Sequence, residues 1–156
     1  MRLVIQRVRT ARVWAEQETI GQCAQGLLLL VGFTHQEREA DLFWCAEKVF
    51  QLQAFEDDSG RLARNVEQIG GALLVIPNFT LYANLSRGRR PDFGKAAPFH
   101  EAARLFDRFV EILREKPLPV ATGAFGARMH IQAELDGPVT FWIEHPNDST
   151  SRKEGG

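Results

Sequence analysis

The apolar positions of this chain change their period several times, and each change marks an element. After the paired Gly70-Gly71, Ala72-Leu73-Leu74-Val75-Ile76 runs apolar without alternation. That is the pattern of a short strand covered on both faces. Pro77 lacks an N–H, so ladder pairing should stop or move to an edge there. Asn78, Phe79 and Thr80 then fall where polar atoms first become reachable. The stretch from Gly70 to Tyr82 also fits a core strand with an ordinary exit loop.

Upstream, Leu3 to Arg9 is rich in β-branched residues and predicts a strand. Val13-Trp14 begins a second extended piece, which a polar turn at Glu16 to Glu18 reverses, and Leu27 to Phe33 follows as the central strand of an antiparallel meander. From Gln36 the period becomes helical: Leu42, Ala46 and Val49, flanked by Phe43 and Phe50, form one stripe. Glu37, Glu39, Asp41, Glu47 and Lys48 are expected to face outward, with Thr34 as N-cap. Leu52 to Phe55 predicts a short edge strand, and Leu62 to Val66 a return toward the sheet. Ala102, Leu105, Phe106, Phe109, Val110 and Leu113 mark a second helix, opened by Pro98 and ended by Pro117 and Pro119. Met129 to Glu134 and Val139 to Glu144 predict two paired strands, with Leu135-Asp136-Gly137-Pro138 as a tight reversal whose X-Pro bond is free to be cis or trans. The whole reads as one α+β domain over 1–144: a curved, barrel-like β-rich core with two packed helices. Residues 145–156 read as a polar, disordered tail.

Composition narrows the function more than the fold. A net charge of −1 over 156 residues removes general attraction to a polyphosphate, so any nucleic-acid partner must be held by a local patch. Ser86 to Lys95 is such a patch: Arg87, Arg89, Arg90 and Lys95 stand against Asp92 alone, among flexing glycines. It suits a clamp on phosphates, and equally a solvated loop. It is not a Walker loop, because the glycine order and the Lys-Ser/Thr ending are missing. Arg7 lies inside a strand, where an arginine commonly extends to solvent. Cys23 and Cys45 are read as two buried thiols, and His35 as a surface histidine. With no signal peptide and no apolar run long enough for a bilayer, the protein is expected to be cytoplasmic, without a membrane partner. No nucleophile elbow, zinc-binding helix or cysteine–histidine cluster is present, so neither metal nor cofactor is expected. Any catalysis should therefore depend on positioning by backbone groups.

Four stretches, in order, resemble the D-aminoacyl-tRNA deacylases, also called D-tyrosyl-tRNA deacylases. They are Ile5-Gln6-Arg7-Val8, Phe79-Thr80-Leu81, Arg87-Gly88 through Arg90-Pro91, and Asp136-Gly137-Pro138-Val139-Thr140-Phe141. The resemblance covers Met1 to about Glu144. It implies a homodimer with two active sites at the subunit interface and an aminoacyl-tRNA 3′ end as partner. The reaction it implies is cleavage of the ester joining a D-amino acid, and in many members glycine, to the terminal adenosine. It implies that Asn78, Phe79 and Thr80 are catalytic, with assistance from the tRNA 2′-OH. It further implies that Gly137-Pro138, in a Gly-cisPro motif, reaches across the dimer to exclude L side chains, beside Pro77 and braced by Arg7. Arg87, Arg89 and Arg90 are expected to hold tRNA. Family members usually carry Ser-Gln-Phe-Thr in the first motif. Here Pro77 removes a hydroxyl and an N–H, and Asn78 is one methylene shorter. Leu135 stands where asparagine is usual. Two other classes fit the same residues: a non-catalytic domain that binds the acceptor end, and a structural dimerisation module.

Overall fold

The computed structural model describes residues 1–146. The first strand, β1 (Arg2–Ala15), is the spine of the fold. Two more strands, β2 (Glu18–Cys23) and β3 (Gly26–Gly32), return along a single edge of it: β3 pairs with its first half and β2 with its second. The expected meander is corrected accordingly, since β1 pairs with both β2 and β3. The two extended pieces expected before Glu16 are likewise one strand, because the last strand, β8 (His130–Glu144), pairs along nearly its whole length.

On the other side of β3 lies β6 (Ala72–Pro77), parallel to it, and β7 (Val120–Thr122) lies beyond, parallel again. Burial on both faces, expected from the unbroken apolar run, is what the sheet gives. Leu73 and Val75 join the large core that also holds Leu27, Leu29 and Val31, whereas Leu74 and Ile76 join a second cluster with Val8, Val13 and Leu28. The backbones of β3 and β6 approach so closely that a Cβ at Gly26 would lie 1.9 Å from the Ala72 carbonyl oxygen. Only glycine fits there. Asn78 N–H still bonds to Val31 O at 2.7 Å. The N–H that Pro77 lacks would face β7, which has already ended, so the proline costs the ladder nothing.

Both helices, α1 (Glu39–Gln51) and α2 (Phe99–Leu113), cover the larger cluster. All six apolar positions expected on α2 are buried. Thr34 is not the N-cap of α1: it bridges to Ala96, and its hydroxyl donates to Lys95 O at 2.6 Å. Arg38 occupies the cap, and its N–H bonds to the Asp41 carboxylate at 2.9 Å. Asp41 and Glu37 point inward rather than outward. Asp41 meets Arg38 and His145 at 3.2 and 3.3 Å, and Glu37 is ion-paired with the α-amino group of Met1. Cys45 is buried, which pushes its thiol up to about 12, while Cys23 is half-buried. Instead of rejoining the sheet, the segment after Gly60 forms β5 (Leu62–Arg64), paired only with β4 (Phe55–Glu56). Of the polar tail, His145 is tied down: it exchanges hydrogen bonds with Met1 at 2.6 and 3.0 Å and stacks on Trp44 at 4.0 Å. The rest of the tail, 147–156, lies outside the described residues. Among the described residues no helix is long and apolar enough to cross a membrane.

Burial alone would raise the Asp41 carboxyl, but the Arg38 hydrogen bonds and the Arg38 and His145 charges outweigh it and hold it below its usual value. A carboxylate depressed in the fold stabilises above its unfolded pKa, and that stability is lost as pH falls through the folded value. Asp41→Asn should therefore lower stability at neutral pH by about 1–3 kcal/mol. The gap between parent and variant in urea titrations should close below about pH 4. A gap unchanged down to pH 3 would remove the carboxylate's role.

Candidate active site

Where β6 ends, the chain turns through a 3₁₀ segment, Phe79–Tyr82. Asn78 caps it: its side-chain Oδ1 accepts from Thr80 N–H at 3.2 Å and from the Thr80 hydroxyl. The shorter amide thus serves the turn. Its own N–H is spent on Val31, so of the backbone groups here it is not a free donor. Phe79 N–H differs, since among the described residues it has no acceptor. As the first N–H of a helical turn it has no partner within the turn. The Thr80 hydroxyl proton is engaged by Asn78, so that oxygen is left as an acceptor.

The Phe79 side chain is 56% exposed, a large apolar ring left at the surface. It sits on an apolar cleft of about 590 Å³, with Phe93, Phe99, Phe125 and Met129 among its walls. Phe93 packs edge-on against Phe79 at 4.9 Å, and Phe125 against Phe99 at 5.1 Å. Sequence reading missed these walls, because Phe93, Phe99 and Phe125 come from separate loops and a helix start with no shared period. The one signal was Phe99, an aromatic at the first position of α2, three and seven residues before Ala102 and Phe106 of the apolar stripe yet left exposed at the helix end. Gly126 completes the cleft at φ 77, where a Cβ would lie 2.8 Å from the Phe99 ring.

Phe93 also anchors the basic loop. Asn84 and Asp92 exchange backbone hydrogen bonds at 2.7 and 3.0 Å and close its base. Between them Arg87, Arg89 and Arg90 are exposed, and no carboxylate among the described residues pairs with them. The loop therefore projects three uncompensated charges from the rim of the Phe79 cleft.

Gly137 and Pro138 lie elsewhere in the chain. The expected hairpin is absent, because β8 runs continuously past them, and Asp136 to Val139 bulge outward opposite the single residue Arg7. The Gly137-Pro138 bond is cis, and both residues are exposed. Gly137 has φ 134, and a Cβ on it would lie 2.6 Å from Val139 N. Arg7 does not extend to solvent. It is 6% exposed, with Nε donating to Asp136 O at 3.0 Å and Nη1 to Ala54 O at 2.9 Å. Glu56 lies 3.7 Å from Nη2, so the β4–β5 hairpin holds the guanidinium that holds the bulge. Arg7 stands in register with Leu27 and Leu73, four residues from the Val31–Pro77 row and three strand spacings from β6 counted from β8. That separates Gly137 from Phe79 by about 20 Å within one chain, at about 3.3 Å per residue and about 4.8 Å per strand.

The D-Tyr-tRNA(Tyr) deacylase family pattern matches residues 4–144. A D-aminoacyl-tRNA deacylase of Chlorobaculum parvum is 52% identical over 94% of this chain and 99% of its own. Another from Thermotoga petrophila is 46% identical over 92% and 97%. Among solved structures, a c-Myc DNA unwinding element binding protein superposes with a TM-score of 0.89 at 33% identity, covering 94% of this chain and all of its own. A probable eukaryotic D-amino acid tRNA deacylase shares the fold at a TM-score of 0.79 and 17% identity. With the pattern spanning every strand and helix described above, the chain belongs to the D-Tyr-tRNA(Tyr) deacylase family.

Proposed function

We propose that the protein hydrolyses D-aminoacyl-tRNA, and glycyl-tRNA as well, releasing the free amino acid and tRNA in the cytoplasm. The observation that carries this reading is the unpartnered N–H of Phe79, a residue that lines an apolar cleft. An ester carbonyl placed over the 3₁₀ turn meets that N–H as its oxyanion donor. Water adds to the carbonyl carbon to give a tetrahedral intermediate, whose collapse breaks the C–O bond and returns the adenosine hydroxyl. The acceptor lone pairs of Thr80 orient the attacking water, and the neighbouring 2′-OH of the substrate relays its proton. The flat, apolar walls of Phe93, Phe99, Phe125 and Met129 suit the π face of the terminal adenine.

Selection against L substrates falls to Gly137 and Pro138. Their separation from Phe79 within one chain supports a homodimer in which each copy lends this bulge to the other's cleft beside Pro77. A glycine there admits close backbone approach, and the bulge excludes an L side chain by contact. Glycine, having no side chain, passes. Single-turnover assays with D-Tyr-tRNA, glycyl-tRNA and L-Tyr-tRNA test all of this. Cleavage of the first two and sparing of the third is expected. Saturable binding of D-Tyr-tRNA without hydrolysis would make the protein an acceptor-end binding domain instead. No binding would leave a dimerisation module.

The basic loop supplies the phosphate contacts on this reading. Alanine at Arg87, Arg89 and Arg90 together should weaken tRNA association and flatten the slope of log K against log salt by about 2. An unchanged slope would return the loop to solvent.

A further inference from the structure

The Phe79 cleft has a second rim, formed by the 125–129 segment that leads into β8. Met129 lines the cleft, and the next residue, His130, begins the strand. His130 pairs with Trp14 and Gln132 with Arg12, so the four side chains share the outer face of the β1–β8 ribbon. They form a connected row. The Trp14 and His130 rings stack at 5.7 Å with their planes 24° apart, and the Arg12 guanidinium lies 4.9 Å from the Trp14 ring. Arg12 Nη2 donates to the neutral Gln132 amide at 3.1 Å. No carboxylate among the described residues pairs with Arg12, nor with the exposed Arg128 just before Met129.

A half-buried tryptophan with an exposed histidine and two uncompensated arginines is unusual on a strand face turned away from the core. A structural pair would be buried or charge-neutralised, and this row is neither. Stacked rings flanked by free positive charge are what a single-stranded nucleic acid uses: base faces lie on the rings, and the backbone meets the cations. Trp14 lies one strand spacing, about 4.8 Å, from His130, which directly follows a residue of the cleft wall. We propose that this row is a stacking platform for the unpaired nucleotides just 5′ of the terminal adenosine. The acceptor strand then leaves the cleft over β8, with the 87–90 loop on the opposite rim. This rests on the cleft taking the terminal adenosine.

The test compares two ligands in parent, Trp14→Ala, His130→Ala and Arg12→Gln proteins. One is uncharged-3′-end tRNA, read by equilibrium binding; the other is 3′-O-D-tyrosyl-adenosine, which is too short to reach the platform, read by hydrolysis. Each ring variant should weaken tRNA binding about tenfold. Hydrolysis of the short ester should keep its kcat/KM, and Trp14→Phe should restore tRNA binding. If Trp14→Ala does not fold, the exposed His130 carries the same comparison. Unchanged tRNA binding in folded His130→Ala would overturn the proposal, as would equal losses on both ligands. A shift of the ring variants to monomer in sedimentation would give the face to a second copy of this chain and also overturn it. If the parent cleaves neither D-Tyr-tRNA nor the short ester, yet the ring variants still lose tRNA binding, the hydrolytic reading falls and the platform stands.

Discussion

Phe79→Pro should lower ester hydrolysis by about 10²–10³-fold relative to Phe79→Ala, with little change in thermal stability. The comparison isolates a single N–H. Both variants lose the aromatic ring, and only proline also removes the donor. Proline is tolerated at the first position of a helical turn, where the N–H has no intrahelical partner. Its other demand falls on the residue before it, which must be extended, and Asn78 already is, at φ −147 and ψ 91. The Asn78 bonds to Val31 O and to Thr80 are untouched by the change. A removed oxyanion donor should appear in kcat rather than in substrate affinity, because it acts on charge that develops only in the transition state. Equal kcat in the two folded variants would show that the Phe79 N–H does not meet the reacting carbonyl.

That donor illustrates what the sequence could and could not disclose. The unbroken run before Pro77 located the buried strand and its exit, since composition and period are local properties. The stripes of both helices were legible for the same reason. Which N–H at the exit stays free depended on register: Val31 lies opposite, and takes the Asn78 donor, only because β3 pairs with β6 in parallel. Asp41 misled for a similar reason. Its position on α1 reads as solvent-facing until His145, more than a hundred residues later, is placed against it. The supposed hairpin at Asp136-Gly137 failed because turn chemistry also serves a bulge, and only the pairing partner tells them apart. The aromatic walls of the cleft come from two loops and the first turn of α2, whose mutual spacing carries no signal, and they became visible as one surface only when the fold closed.

Arg7→Lys should keep the protein folded and yet reduce discrimination between D-Tyr-tRNA and L-Tyr-tRNA by about tenfold or more, the lower bound for a pocket that rejects by contact. Charge is retained in this variant, so the loss is one of geometry. The guanidinium reaches in two directions at once, to Asp136 O through Nε and to Ala54 O through Nη1. An ammonium is a single point on a flexible stem and cannot span both carbonyls. One of them loses its partner, at about 1–3 kcal/mol for a buried acceptor. If Asp136 O is the one released, the bulge that carries Gly137 is no longer tied to the β4–β5 hairpin. Selection by exclusion needs a wall that stays in place, since a small displacement is enough to admit a side chain. Hydrolysis of D-Tyr-tRNA should fall much less than selectivity, because Arg7 lies about 16 Å from the end of β6 in its own chain by the strand spacings. A folded Arg7→Lys protein with the parental ratio of kcat/KM for the two substrates would show that this arginine supports the fold alone. A ratio lost in step with D-Tyr-tRNA activity would assign it to catalysis rather than to selection.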